Sequence, residues 1–281
     1  MDTNWLRRKA NLYDFKQAIQ DPGKAYRSLK RHTWSMNDTE TNGVTEEKVL
    51  TELSLILGAD KKRICDLKSD LYNSRIQNRI KECNAEFSDL PYSLGGMSMG
   101  GEMGYLAMRL MKPTSIFEIG VANGLSTLYL LGGADHEHLT DIDIRGLDKP
   151  RFEQDVRNRR GKRGVSGVGG IVPDNKSAGW IAPKQQRSKF GYQYYVGDFT
   201  QISPVIPSDM GNLDLALYDA SKDSSEMEFA FSTLINGLNT GGILIADDIN
   251  RNNAFEDVCE EYNGEYSILG STGIFRLSAQ S

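Results

Sequence analysis

The chain has 281 residues, 39% of them hydrophobic and 25% charged, which supports a sizeable core and excludes wholesale disorder. Lys and Arg total 33 against 38 Asp and Glu, a formal charge of −5 at pH 7 that argues against a generally basic coat for nucleic acid. No apolar run approaches the ~20 residues of a bilayer span. The opening segment MDTNWLRRKANLYDF carries charges where a signal peptide has its apolar stretch. The three cysteines (Cys65, Cys83, Cys259) form no CxxC pair, so neither a disulfide framework nor a thiolate zinc site is readable. The expectation is a soluble, cytoplasmic globular protein.

Residues 1–94 read as a helical extension, either packed on the main domain or acting as a lid. Thr45, Glu46 and Glu47 before Val49, Leu50, Leu53, Leu55, Ile56 and Leu57 give a cap, an acidic first turn and a helix closed by Gly58. A second helix is predicted over 61–83, with Ile64, Leu67, Leu71, Ile76 and Ile80 near one stripe. From residue 95 to 281 short apolar runs alternate with helical stretches at 102–112, 124–133, 223–238 and 253–262. Predicted strands are 115–120, 138–143, 192–196, 213–219 and 242–247. Two final strands, 266–269 and 273–277, are joined by Gly270, Ser271 and Thr272, a link too short for anything but an antiparallel hairpin. The fold class is α/β, a doubly wound, mostly parallel seven-stranded sheet ending in that hairpin. An insertion at about 146–190 interrupts it. Arg145, Lys149, Arg151, Arg157, Arg159, Arg160, Lys162 and Arg163 outnumber Asp148, Glu153 and Asp155 there, which reads as a solvated face; no interleaved aromatics suggest base stacking.

The chemistry begins in Ser115-Ile-Phe-Glu118-Ile-Gly120-Val-Ala-Asn-Gly124-Leu-Ser126. A buried strand enters two glycines four apart and a helix follows, so a ligand can approach the main chain at the carboxyl end of a strand. The spacing is GxxxG, not GxGxxG, and no GK[ST] follows, which weakens dehydrogenase and P-loop readings. Asp143, twenty-three residues after Gly120, is a carboxylate at the distance that suits ribose hydroxyls. Gly197-Asp198-Phe199 offers an acceptor for an adenine amino group and a ring to cover the base. In order and spacing these residues and the final hairpin resemble the class I S-adenosylmethionine-dependent methyltransferases, over about residues 95–281. The resemblance implies that Glu118, Gly120, Gly124 and Ser126 line the methionine and ribose part of the cofactor. It also implies that Asp143 holds the ribose and that Asp198 with Phe199 holds the adenine. The segment Met97-Ser-Met99-Gly-Gly-Glu102-Met-Gly104 is similar to the stretch that closes over the cofactor in the catechol-type branch, which implies a contact from Met99.

A second group sits on two later strand ends, Tyr218-Asp219-Ala-Ser-Lys222-Asp223 and Ile245-Ala-Asp247-Asp248-Ile-Asn250. Neighbouring strand ends would bring Asp219, Asp247 and Asp248 together, where three carboxylates repel unless neutralised, and a hard divalent ion such as Mg²⁺ suits such oxygens. The ion would acidify a substrate hydroxyl, and Lys222 would take its proton. The other reading is strand-end caps and a solvated lysine. The pattern is similar to the metal-dependent catechol and caffeoyl-CoA O-methyltransferases, which implies metal ligands at Asp219, Asp247 and Asp248, a further cofactor contact from Asp219 and a general base at Lys222. Asp248 departs from the Asn usual there.

His32, His136 and His138 lack metal-ligand spacing, and Tyr192, Tyr194 and Tyr195 read as sheet packing. The expected activity is methyl transfer from S-adenosylmethionine to the hydroxyl of a small molecule, assisted by a divalent metal. Rival readings are a metal-independent N- or sugar-O-methyltransferase, an RNA methyltransferase using the basic insertion, and a non-catalytic adenosine-binding module. Oligomeric state, a homodimer included, stays open.

Overall fold

Helix α1 (Glu46–Leu57) buries Leu50, Leu53, Ile56 and Leu57 along one stripe and ends at Gly58, whose φ of +64° a side chain would resist. In the computed structural model, residues 46–86, 99–148, 177–197 and 212–279 are described, all within one compact unit; Thr45, the expected cap of α1, falls outside them. Asp60 caps α2 (Lys61–Tyr72) by accepting the Arg63 N–H at 2.8 Å. The single helix predicted over 61–83 is in fact two. Asn73 Nδ2 donates to the Ser69 carbonyl and Ser74 Oγ to that of Leu71, and Ser74 Oγ then accepts the Ile76 N–H of α3 (Arg75–Glu86). These short polar side chains take over the backbone hydrogen bonding and restart the helix.

After α4 (Met99–Met111), β1 (Ser115–Ile119) enters the sheet, followed by α5 (Leu125–His136) and β2 (Asp143–Asp148). The short α6 (Lys184–Lys189) precedes β3 (Gln193–Val196); β4 (Leu213–Tyr218), α7 (Ser224–Gly237) and β5 (Leu238–Ala246) form the second half. A 3₁₀ turn at Ile249–Arg251 and α8 (Ala254–Cys259) lead to the hairpin of β6 (Gly264–Leu269) and β7 (Thr272–Leu277). Strand order is β3-β2-β1-β4-β5-β7-β6. The first five strands run parallel, and β7 lies antiparallel between β5 and β6. Strand order reverses between β1 and β4, and open α/β sheets bind their ligands in the crevice above such a point.

The second strand differs most from its predicted position, while β5 and β6 begin four and two residues earlier than expected. The run 138–143 was expected to be a strand, yet β2 begins at Asp143. His138 (φ +51°) and Asp141 (φ +55°) hold left-handed conformations that no strand accommodates, whereas Ile144 and Leu147 are fully buried. The first three residues assigned to the insertion, Gly146–Asp148, therefore belong to the sheet.

The core beneath β1, β4 and β5 is packed by α7 and α8. Tyr218, Phe231 and Phe255 stack edge to face with ring centres 4.9 Å and 5.5 Å apart. On the α4 side, buried Arg109 donates to Glu137 at 2.6 Å, to Asp70 at 3.4 Å and to the Tyr105 hydroxyl, tying α2, α4 and the end of α5 together. No described helix is long and apolar enough to cross a membrane.

Candidate functional site

The backbone at the end of β1 turns where the sheet switches direction. Gly120 has φ +93°; its N–H donates to the Leu147 carbonyl at 2.8 Å, and a Cβ there would overlap the Asp219 carbonyl oxygen. Glycine is therefore required by the close passage of the β1 and β4 ends. Gly124 (φ +87°) starts α5, with Gly179 packed so tightly that an added Cβ would lie 2.6 Å from its Cα. The intervening loop is pinned by segment 179–181: Gly179 N–H donates to the Ala122 carbonyl and Ile181 N–H to that of Asn123.

Glu118, the only carboxylate on β1, is 1% exposed. It accepts from the Ser126 hydroxyl, from Thr127 Oγ1 at 2.6 Å and from the Tyr192 hydroxyl at 3.4 Å. Burial pushes its carboxyl up to about 7; the donors pull the other way, and nearby Asp148 adds to the rise. Ser126 and Glu118 share a narrow crevice with Gly100, Gly101, Asp219 and Asp247 at the carboxyl ends of β1, β4 and β5. Met99 is the first residue of α4, beside that crevice-lining pair of glycines in sequence.

Asp143 does not reach this place. It opens β2, in register with Ser115 at the opposite end of β1, and is bound to Arg145 at 2.5 and 2.9 Å. At about 3.3 Å per residue, the strand carries it roughly 16 Å from the carboxyl end. The ribose assignment to Asp143 is thus corrected, because the strand itself starts five residues later than its apolar pattern suggested. Asp148 occupies the carboxyl end of β2 instead, 4% exposed, accepting from the Ala122 N–H at 3.3 Å and the Tyr194 hydroxyl at 2.8 Å. Asp198 and Phe199 lie outside the described residues, as do the basic residues Lys149–Arg163.

Asp219 follows β4, with its N–H on the Ile119 carbonyl at 2.8 Å. Its side chain keeps 48% of its surface open, yet loss of hydration at the crevice floor raises its carboxyl above the usual range, Asp247 and Asp248 adding to the rise and Lys222 opposing it. Lys222 Nζ donates to Asp219 Oδ1 at 2.9 Å and to the Asp247 carbonyl at 3.4 Å, and lies 3.5 Å from Asp248 Oδ2. Asp248, at φ +56°, also faces Arg251 at 3.7 Å. Asp247 Oδ1 points elsewhere, taking the Asp248 N–H, the Thr272 hydroxyl at 3.0 Å and the Ser271 hydroxyl at 3.4 Å.

This donor set does not fit a divalent ion. Asp247 Oδ1 is taken by neutral donors, and the Lys222 ammonium already stands between Asp219 and Asp248. Among the described residues no three His, Cys, Asp or Glu side chains are grouped to hold a metal. The expected ligand trio of Asp219, Asp247 and Asp248 is corrected accordingly. A separate cavity of about 1,040 Å³, bordered by Arg75, Arg79, Leu128, His136 and Lys189, lies along the outer face of α5 and holds none of these residues.

Residues 117–249 match the model of a family described as a methyltransferase domain. That match spans just under half of the chain and supports a methyltransferase domain over those residues. The seven-stranded order, with β7 reversed, is the Rossmann-like arrangement expected from the sequence. Among solved structures, a Klebsiella pneumoniae protein assigned to the O-methyltransferases is similar at 16% identity, covering 73% of this chain and 91% of its own, with a TM-score of 0.49. The O-methyltransferase TomG from Streptomyces achromogenes, solved with S-adenosylmethionine, is 15% identical over 75% of this chain and 96% of its own (TM-score 0.47). An O-methyltransferase from Bacillus cereus, solved with S-adenosylhomocysteine, is 14% identical over 73% and 91% (TM-score 0.48). No curated protein matches the sequence.

At these strand ends lie a crevice lined by the buried carboxylate of Glu118 and by Ser126 at the start of α5, and, at the end of β2, the buried carboxylate of Asp148. Sequence reading missed Asp148, Thr127, Tyr192 and Tyr194. The signal for Asp148 was the buried pair Ile144 and Leu147, which marks the true strand; the tyrosines gave none, since their reach depends on tertiary contacts.

Proposed function

We propose that this methyltransferase transfers the methyl group to an oxygen of a small-molecule acceptor, with Asp219 and Lys222 as its acid–base pair. The observation that carries the reading is the 2.9 Å contact between a half-open carboxylate of raised proton affinity and an ammonium, on the floor of the crevice that also holds Glu118 and Ser126. S-adenosylmethionine, when bound, supplies an electrophilic methyl carbon. Asp148 is assigned to the ribose hydroxyls, a carboxylate at the end of the second strand being suited to accept from a diol. Asp219 takes the proton that the acceptor hydroxyl loses as its oxygen attacks, a carboxylate of raised proton affinity being a better base than an ordinary one. Lys222 Nζ is the donor of the pair: it holds Asp219 in place and presents positive charge to the developing oxyanion. This reverses the expectation of Lys222 as base.

The Lys222 ammonium, 2.9 Å from Asp219 and 3.5 Å from Asp248, supplies the positive charge that these carboxylates need without a divalent ion. The acceptor's identity rests with the segments that flank the crevice. The test is transfer of labelled methyl from S-adenosylmethionine to panels of phenols, sugars, amines and short RNAs, each with Mg²⁺ and with EDTA. The reading expects labelled hydroxyl products in both conditions. Label only on nitrogen or RNA, or activity abolished by EDTA and restored by Mg²⁺, contradicts it.

A further inference from the structure

On the sheet face that carries Glu118, the middle of β2 is empty. Register pairs Glu118 with Gly146, and Gly146 with Tyr194 on β3, so the three point to the same side; Tyr192, two residues earlier, shares that side. A Cβ on Gly146 would overlap the Tyr192 hydroxyl and would lie 2.6 Å from Val121 Cγ2 and 2.8 Å from Tyr192 Cζ. The glycine leaves a slot, and the phenol runs through it across a whole strand to donate to Glu118 Oε2 at 3.4 Å. Tyr194 makes the parallel contact one pleat along, donating to Asp148 at 2.8 Å. Two edge-strand phenols thus reach the two buried carboxylates of the cofactor side.

We propose that Tyr192 is a positioning residue for cofactor binding: threaded over Gly146, it fixes the Glu118 carboxyl and through it the direction of the Ser126 and Thr127 hydroxyls at the start of α5. The proposal rests on the methyltransferase reading of this crevice and deepens it. A serine hydroxyl has one proton to give. With Glu118 ionised, Ser126 donates inward to Oε1, as the structure shows, and presents only lone pairs to the crevice. With Glu118 protonated, one carboxyl oxygen becomes a donor, and the Ser126 proton is free to meet an anionic group of the ligand. Glu118 is faced by Asp148 from β2, Tyr192 and Tyr194 from the β3 edge, and along the crevice by Asp219 and Asp247, with Lys222 already committed to Asp219. Its neighbours other than the hydroxyl donors are anionic, so its own proton is the variable that changes the polarity of this wall.

The experiment is titration of S-adenosylhomocysteine between about pH 6 and pH 8.5, paired with thermal melting of the unliganded protein over the same range, on wild type, Tyr192→Phe and Gly146→Ala. Affinity is expected to fall as pH rises through the Glu118 titration. Tyr192→Phe removes a donor to the carboxylate, so the midpoint moves upward by roughly half a pH unit and the plateau affinity drops about three- to ten-fold. Gly146→Ala, which expels the same phenol, reproduces the shift. A Tyr192→Phe protein whose midpoint and affinity both equal those of wild type overturns the proposal. If wild type binds no S-adenosylhomocysteine, the methyltransferase reading fails and the cofactor role of Tyr192 with it, while the melting midpoint still separates the two failures: an unmoved midpoint in Tyr192→Phe shows that the phenol does not act on Glu118 at all, and a moved one confines the failure to the cofactor.

Discussion

Glu118→Gln should change how stability depends on pH. The Glu118 carboxyl is raised from 4.5 to about 7 in the folded protein, chiefly by burial. A folded-state value above the unfolded one means that the native protein binds the proton more tightly, so this stabilisation is full below about pH 4.5 and disappears as pH rises through about 7. At about 1.4 kcal/mol per pH unit of displacement, the loss between those limits comes to roughly 3 kcal/mol. Glutamine carries no charge and keeps an acceptor for Thr127 or Ser126, so the variant should lose less stability than wild type between pH 5 and pH 8. Urea unfolding followed by circular dichroism at several pH values measures the difference. Asp219, raised in the same direction, leaves a residual slope in the variant. Identical slopes in the two proteins would refute the argument that Glu118 holds its proton near neutrality.

Three other outcomes follow from the geometry. Gly120→Ala combines a φ of +93° with overlap of the Asp219 carbonyl, and should cost about 3 kcal/mol or more of stability and abolish S-adenosylhomocysteine binding, read by unfolding and titration. Arg109→Met removes the buried cation shared by Glu137 and Asp70, although Glu137 keeps Lys112 at 3.1 Å and Asp70 is half exposed, and should destabilise by roughly 1–3 kcal/mol in urea unfolding, with residual activity at low temperature retaining its KM. Asp219→Asn should lower kcat by about 10²-fold or more while S-adenosylhomocysteine still binds, which single-turnover assays and titration distinguish.

The central sheet was legible because β1, β4 and β5 are buried on both faces and read as apolar runs: Ile116–Ile119, Leu213–Tyr218 and Ile243–Ala246. The hairpin was legible because the expected link of Gly270, Ser271 and Thr272 is too short for any other connection; in the structure Thr272 already belongs to β7. The second strand was not. Arg145 interrupts its apolar residues, while the preceding Leu139 and Ile142 imitate a strand that His138 and Asp141 bend out of line. That displacement placed the strand-end carboxylate at Asp143, whereas Asp148 stands at the carboxyl end of β2, five residues on. The break between α2 and α3 escaped notice because neither Gly nor Pro marks it; side-chain hydrogen bonds of Asn73 and Ser74 do the work. Convergence of Asp219, Asp247 and Asp248 was a fair inference from strand ends, but the strand pattern does not reveal that Thr272 and Ser271 claim Asp247. The reach of Tyr192 over Gly146 is likewise a property of three strands in register, invisible in any one of them.

The most direct test is isothermal titration of S-adenosylhomocysteine into wild type, Asp148→Ala and Asp143→Ala. The account predicts binding to wild type, at least tenfold weaker binding when Asp148 is lost, and unchanged binding when Asp143 is lost. An Asp148→Ala protein that binds as wild type does, or a wild type that does not bind at all, contradicts it.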